Sequence, residues 1–357
     1  MGLMASPLTL TKLRKKIMNR TKREITFKAE YQNYIDHPPV STTQMYGGAC
    51  SNDEITISTW RPTWMGNVEA NKKFFGEFKN HGIGKLYGEH KYKPAILAGS
   101  GPSLAYNGER LKNRGGIPLI SCLHNYHFFE DRGIKPDYYV TLDAGDVVLE
   151  EVSEGGKKTP DEYWESTKDK TLVAFIGSTP KLFEKWKGKV YLFAAPVPDK
   201  EYIEHCEKLE KFNSYISTGG NVLGACLYFA KAVLGCNPIA FVGADFAFSY
   251  DKKFHGWDSK YDKHIGQVLA ATDVFGNKIF TWQSYFNFKS WFDYVAITVP
   301  GIYVNCTEGG IFGAYTGGNI RNVLQSSLED FINMFELSEA VKNGFLDPES
   351  DEKKILF

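Results

Sequence analysis

From residue 94 onward the chain settles into short apolar runs separated by polar or mixed segments. The runs Ala95–Ala98, Pro118–Cys122, Tyr138–Leu142, Thr171–Phe175, Tyr191–Phe193, Ile239–Val242 and Ile302–Asn305 have the length and uniform apolarity of buried strands. Between them, Ser103–Asn113 has helical character and stops before Gly115-Gly116. Val222–Leu234 is apolar almost all round, interrupted only by Lys231, which predicts a buried helix; Gly235 stands where a C-cap glycine belongs. Strand, helix and strand in succession, with strands apolar on both faces, predict an α/β fold: a mostly parallel sheet with helices on both faces. Leu324–Phe335 reads as an amphipathic helix.

The flanks and insertions are less regular. Residues 1–65 read as a basic arm, densest in Lys and Arg over 1–30, followed by an irregular or short-strand segment over 31–66 rich in Pro, Gly, Thr and Trp. A helix is expected from Asn67 to Lys79, broken at Gly82, Gly84 and Gly88. The main domain then occupies 66–335. It carries a charged insertion between 146 and 170 and an aromatic-rich insertion at about 246–300, with a helix such as Tyr285–Tyr294. Residues 336–357 form a charged tail.

Composition narrows the function classes. The chain has 357 residues and Lys plus Arg equals Asp plus Glu, so a general nucleic-acid footprint is not indicated and no nucleic-acid partner is expected. No apolar run approaches the length of a spanning helix, and the charged N-terminus lacks the apolar stretch of a signal peptide. The six cysteines are scattered without a C-x-x-C pair, which predicts reduced core thiols and a cytoplasmic location.

Candidate chemistry concentrates where apolar runs end in glycine. Ala95–Ala98 runs into Gly99-Ser100-Gly101-Pro102-Ser103-Leu104: a strand, a tight turn and a helix start. Backbone N–H groups at a helix start suit a phosphate, and glycine at 99 and 101 removes Cβ atoms that would hold one off. The spacing is neither the dinucleotide fingerprint, since position 104 is leucine, nor a P-loop, since no Gly-Lys-Ser/Thr follows. An ordinary strand-to-helix turn gives the same pattern. The second stretch, Thr218-Gly219-Gly220-Asn221, opens the apolar helix; it offers donors to a second phosphate or a sugar carboxylate, or else a plain N-cap. In a parallel sheet, ligands sit at the carboxyl ends of strands, which places Gly99–Ser103, Asn125, Asp143 and Asp245 on one rim. Asn125 suits a base or sugar contact, or a structural turn. Asp143 and Asp245 suit Mg²⁺ beside a diphosphate, ribose hydroxyls, or orientation of a catalytic histidine. Glu308 lies in a glycine-flanked loop and is a candidate general base or ligand contact. His255 and His264, in the aromatic-rich stretch, are ordinary surface histidines or candidate general bases.

Three motifs in one order, GSGPSL (99–104), STGGNV (217–222) leading to VGADFAF (242–248), and NCTEGG (305–310), resemble the family of MptE-like 6-hydroxymethylpterin diphosphokinases and motility-accessory-factor (Maf) flagellin glycosyltransferases. Ile134-Lys135-Pro136-Asp137 through Asp143 resembles a further stretch of that family, and the first two motifs are also similar to bacterial CMP-sugar sialyltransferases. The resemblance covers roughly residues 65–325 and implies a Rossmann-like fold. It implies a nucleotide-dependent transferase, with Gly99, Ser100, Gly101, Pro102 and Ser103 as nucleotide-phosphate loop. The expected reaction is glycosyl transfer from a nucleotide-activated sugar of the CMP-nonulosonate type, needing no cofactor. The alternative is diphosphate transfer from ATP to a hydroxymethyl group, with Mg²⁺ held by Asp143 and Asp245. A non-catalytic nucleotide-binding module is the third. The expected partners are a nucleotide or nucleotide-sugar donor and a hydroxyl acceptor. The chain is shorter than a full flagellin glycosyltransferase, which sets a flagellin acceptor apart from what the resemblance carries.

Overall fold

The structure is a computed structural model that describes residues 35–36, 42–195, 200–209, 212, 214–249, 255–257, 268–315, 318–320 and 322–335. The basic arm over 1–30, the tail over 336–357 and His264 lie outside the described residues. The strands that frame the site are β1 (Ala95–Ala98), β2 (Leu119–Cys122), β3 (Tyr138–Thr141), β4 (Thr171–Phe175), β5 (Lys189–Phe193), β6 (Ile239–Val242), β7 (Val268–Thr272), β8 (Lys278–Trp282), β9 (Tyr303–Asn305) and β10 (Val323–Gln325). The helices that bear on it are α1 (Thr42–Phe75), α2 (Leu104–Asn107), α3 (Val147–Ser153), α4 (Pro160–Ser166), α5 (Val222–Tyr228, continued by a π-helical segment Phe229–Leu234), α6 (Gln283–Thr298) and α7 (328–335).

Eight strands pair side by side in the order β10-β9-β6-β1-β2-β3-β4-β5, every neighbour parallel. The sheet grows outward from β1 to β5, then the chain crosses back to lay β6 on the other side of β1. This reversal of direction is the switch point at which open α/β sheets bind ligands. Every residue of β1, β2, β3 and β6 is buried, as expected of strands covered on both faces. The fold is the Rossmann-like α/β arrangement that the sequence predicts.

Four local expectations change. Residues 42–66 are not irregular: α1 starts at Thr42 and runs without interruption through Pro62, across the boundary expected at 65/66. Packing overrides propensity here. Trp64 sits edge-on to Phe175 and Tyr202 at 5.7 and 5.9 Å, and Val68 is fully buried. One turn apart, Asn67 and Asn71 reach the loops after β3 and β4. Asn67 donates to the Ala144 and Gly177 carbonyls, and Asn71 to those of Ile176 and Ser178, all at 2.9 Å. The charged stretch 146–170 is the crossover from β3 to β4, made of α3 and α4, and α4 starts at a capping box between Thr159 and Glu162. The described part of 246–300 contains an antiparallel hairpin, β7–β8, followed by α6. Leu324 and Gln325 belong to strand β10, since Val323–Gln325 pairs with Tyr303–Asn305; the helix begins at 328, where the Asp330 N–H donates to Ser327 Oγ.

Asn71 satisfies two buried carbonyls that no water reaches. Replacing it with alanine should lower unfolding stability by about 2–3 kcal/mol, because two acceptors lose their donors. Asn71→Asp should cost more, since a carboxylate would then face two carbonyls. Urea unfolding of both variants against the parent checks the order.

Candidate functional site

At the switch point the loops after β1 and β6 are locked backbone to backbone. The Gly99 N–H donates to the Val242 carbonyl and the Gly101 N–H to the Gly243 carbonyl, both at 2.9 Å. A Cβ on Gly99 would lie 2.5 Å from the Gly243 carbonyl oxygen, and one on Gly243 the same distance from the Gly99 carbonyl oxygen. A Cβ on Gly101 would collide with the Asp245 carboxylate. These glycines are therefore demanded by the neighbouring loop, whether or not a phosphate binds. The Asp245 carboxylate takes the donors at the start of α2: Ser103 Oγ donates to it at 2.7 Å, and the Ser103 N–H points at both its oxygens at 3.3 and 3.4 Å. Burial pushes the Asp245 carboxyl up to about 7, against the opposing pull of the Ser103 hydrogen bonds.

With the Gly99, Gly101 and Ser103 N–H groups engaged, the longest run of open N–H groups at the cleft is the start of α5. Asn221 is its N-cap, its side-chain oxygen accepting from the Gly224 N–H at 2.9 Å. The N–H groups of Val222 and Leu223 come before the first intrahelical bond and have no partner among the described residues. Asn221, Val222 and Leu223 line a cleft of roughly 220 Å³ together with Gly99–Gly101, Asp143, Asp245 and His255. Tyr285 and Phe288 of α6 and Phe246 form an aromatic wall.

The opposite end is acidic. Asp143, just past the end of β3, and Glu151, from α3, both line the cleft. Burial raises both carboxyls, and the Asp143 charge raises Glu151 further. Glu151 Oε1 lies 3.4 Å from His124 Nδ1, and the His124 ring stacks on His255 with centroids 4.8 Å apart. Burial, then the neighbouring imidazoles of His255 and His127, press His124 down to about 3, so it is neutral at physiological pH. Among the described residues lining the cleft there is no lysine or arginine.

The expected site residues thus divide. Gly99, Ser100, Gly101, Asp143, Asn221, Asp245 and His255 share the cleft. Thr218, Gly219 and Gly220 shape the turn before α5: Thr218 Oγ1 accepts from the Gly220 N–H, and Gly219 packs under Trp291 of α6. Pro102 is buried in the loop after β1, and Ser103 holds Asp245. Asn125 is buried beneath the loop, donating to the Ala98 and Gly99 carbonyls at 3.1 Å, so it shapes the floor and does not face the cleft. Glu308 also lies away from the cleft wall, paired with Arg110 at 2.9 Å and accepting from the Leu328 N–H at the start of α7. His124 and Glu151 were not singled out from the sequence. The position of His124, two residues past the end of β2, is a usable signal; Glu151 has none, because only the fold of α3 turns it inward.

The raised Asp245 carboxyl makes a pH prediction. Its folded-state value lies above the unfolded one, so its contribution to stability is full below about pH 4 and is lost as pH rises through about 7. The stability of Asp245→Asn minus that of the parent should therefore climb between pH 4 and 7 and level off above. Urea unfolding at pH 4.5, 6 and 8 reads this; a difference independent of pH would mean that Asp245 is not held as described.

No curated protein matches the sequence. Among solved structures, the "MAf glycosyltransferase from Magnetospirillum magneticum AMB-1" aligns with 16% identity and a TM-score of 0.48, over 71% of this chain and 37% of that one; this chain thus spans little more than a third of that protein's length. The sequence profile described as "6-hydroxymethylpterin diphosphokinase MptE-like" matches residues 67–251. That match takes in β1 to β6, both switch-point loops and the acidic end of the cleft, and covers just over half of the sequence: the chain belongs to the MptE-like family.

Proposed function

We propose that this protein is a nucleotide-dependent transferase whose donor phosphate sits at the start of α5, and that it transfers a sugar from a nucleotide-activated donor of the CMP-nonulosonate type to a hydroxyl acceptor. The observation that carries this reading is the pair of open N–H groups at Val222 and Leu223, in a cleft whose described lining has no lysine or arginine. A helix N-terminus carries about half a positive charge and suits one phosphate. A free triphosphate brings several more negative charges than this end can balance, beside three carboxylates. The aromatic wall of Tyr285, Phe288 and Phe246 is available to the base. An ionised Asp143 would take the proton of the acceptor hydroxyl. The N–H groups of α5 would hold the phosphate as negative charge develops on it when the sugar leaves.

Diphosphate transfer from ATP to a hydroxymethyl group is the second reading, favoured by the family's description and by the pair Asp143 and Glu151. These residues fit Mg²⁺, which takes one or two carboxylates and fills its remaining positions with water and phosphate oxygens. Asp143, with no side-chain partner of its own, would hold the ion, whose charge would offset that of the polyphosphate.

A thermal-shift panel of CMP, CTP and ATP, each with and without Mg²⁺, tests the proposal, since a ligand of the native state raises the melting temperature. CMP should stabilise without metal, and CTP without metal less or not at all. Stabilisation by ATP alone, and only with Mg²⁺, would transfer the assignment to the diphosphokinase; no shift with any nucleotide would overturn both. Val222→Asp sharpens the test. A carboxylate in the first turn suits the helix dipole, so the unliganded protein should melt within a few degrees of the parent. The same charge repels a phosphate, so the nucleotide shift should vanish.

A further inference from the structure

The edge of the sheet opposite the cleft carries a turn whose side chains the fold does not use. Residues 87–93 lead into β1 and cover the far end of the helix that begins with α5. The Gly88 N–H donates to the Val233 carbonyl at 2.7 Å, that of His90 to Leu234 at 3.1 Å and that of Tyr92 to Gly235 at 2.9 Å. The first two take up carbonyls that the last helical turn leaves free. This capping uses backbone alone, so polar side chains would serve at every position. Two of the positions are nonetheless tyrosines, Tyr87 at 80% and Tyr92 at 77% exposure, the most exposed large hydrophobic side chains among the described residues. Tyr92 stands in the left-handed region, at φ 62°, which bulky side chains avoid. Its bond to Gly235 holds it there. Lys91 lies over its ring, with Nζ 5.0 Å from the centroid.

Lysines share this edge. A parallel sheet brings the starts of all its strands together, and exposed lysines stand there: Lys91 and Lys93 before β1, Lys135 before β3, Lys168 before β4 and Lys189 as the first residue of β5. Of the nearby carboxylates, Asp137 is paired with Arg114 and Glu165 with Lys187, and Glu89 accepts from the Tyr138 hydroxyl at 3.0 Å. Asp169 stands between Lys168 and Lys170 in sequence. The chain's net charge is zero, yet lysines gather at this edge while the described lining of the cleft, at the opposite edge, has none. We propose that this face docks on an anionic lipid bilayer. A broad anionic surface attracts the lysines together. Tyr87 and Tyr92 then enter the headgroup layer, which suits a ring with an apolar body and a polar tip. The tyrosines decide between a bilayer and a nucleic-acid duplex, whose phosphates would engage the lysines and leave the rings in water. Docked in this way, the protein turns its cleft toward the aqueous side, open to soluble substrates. Docking is independent of what the cleft transfers.

Cosedimentation of the full chain with lipid vesicles tests this. One set is phosphatidylcholine alone; in the other, about one third of the lipid is phosphatidylserine. The parent should sediment with the anionic vesicles, much less with the neutral ones, and be released in part by salt. Two double variants dissect the face. Tyr87→Ser with Tyr92→Gly removes both rings, and glycine suits the left-handed backbone at 92, so this variant should melt no lower than the parent. Lys91→Gln with Lys93→Gln removes two charges. Each double variant should bind anionic vesicles about tenfold more weakly, or worse. If the parent stays in solution, or if either variant sediments as the parent does, the proposal is overturned; binding that survives both would belong to another part of the chain, such as the basic residues 1–30. Two further controls identify a wrong occupant. Duplex DNA bound in place of vesicles, through the lysines and without regard to the tyrosines, would make the face a polyanion site. A dimer seen by light scattering, dissolved by the tyrosine variant and unaccompanied by vesicle binding, would assign the face to a second copy of the chain.

Discussion

The interlock of Gly99 and Gly243 is the contact on which the site depends. Two parallel strands that are neighbours in space but far apart in sequence end at the same height, and their loops must pass within a backbone's width of each other. The 2.5 Å that a Cβ would leave to the opposing carbonyl oxygen admits no side chain at either position. Hydrogen bonds from Gly99 to Val242 and from Gly101 to Gly243 then fix the relative heights of β1 and β6. Asp245 sits two residues beyond Gly243, so its carboxylate is delivered to Ser103 by the same interlock. The loop after β9 closes the arrangement from the far side: the Ile311 N–H donates to the Asp245 carbonyl, and Thr307 Oγ1 accepts from the Ala244 N–H.

The interlock has a consequence for charge. A glycine-rich turn between a strand and a helix is usually available to a phosphate because its N–H groups face outward. In this protein those of Gly99 and Gly101 face the neighbouring loop, and the protein's own carboxylate occupies the start of α2. The positive end of a helix must then come from elsewhere. It comes from α5, whose first turn is left open because Asn221 caps only the Gly224 N–H. In the proposed reading anion binding thus falls to the second of the two glycine motifs, while the first serves as scaffold.

The parallel sheet was legible in the sequence because its strands are uniformly apolar and end in small residues; Ala95–Ala98 and Ile239–Val242 are found where they are predicted. The rim was legible for the same reason, since the carboxyl-end rule needs only strand direction. What the sequence hid follows from tertiary packing. Helix α1 contains Pro62 and has glycines and threonines that disfavour helices, yet Trp64, Val68 and Asn71 hold it against the loops after β3 and β4. Asn125 and Glu308 have the residue type and loop position of functional groups, but their side chains are taken up by backbone carbonyls and by Arg110. Glu151 is the converse. It sits in a charged stretch that resembles a solvated face, and only the return of α3 over the rim brings it to Asp143.

Under the proposed function, these placements would make the cleft an electrostatic filter rather than a general anion trap. Three carboxyl groups stand in one small space with two imidazoles, burial raising each of the three, and the described lining offers no cationic side chain. Uniform positive lining would bind any polyanion tightly and discriminate little among them. A single helix N-terminus facing an acidic wall instead penalises ligands whose negative charge extends beyond one phosphate, unless a cation accompanies them. Specificity of this kind comes from repulsion as much as attraction.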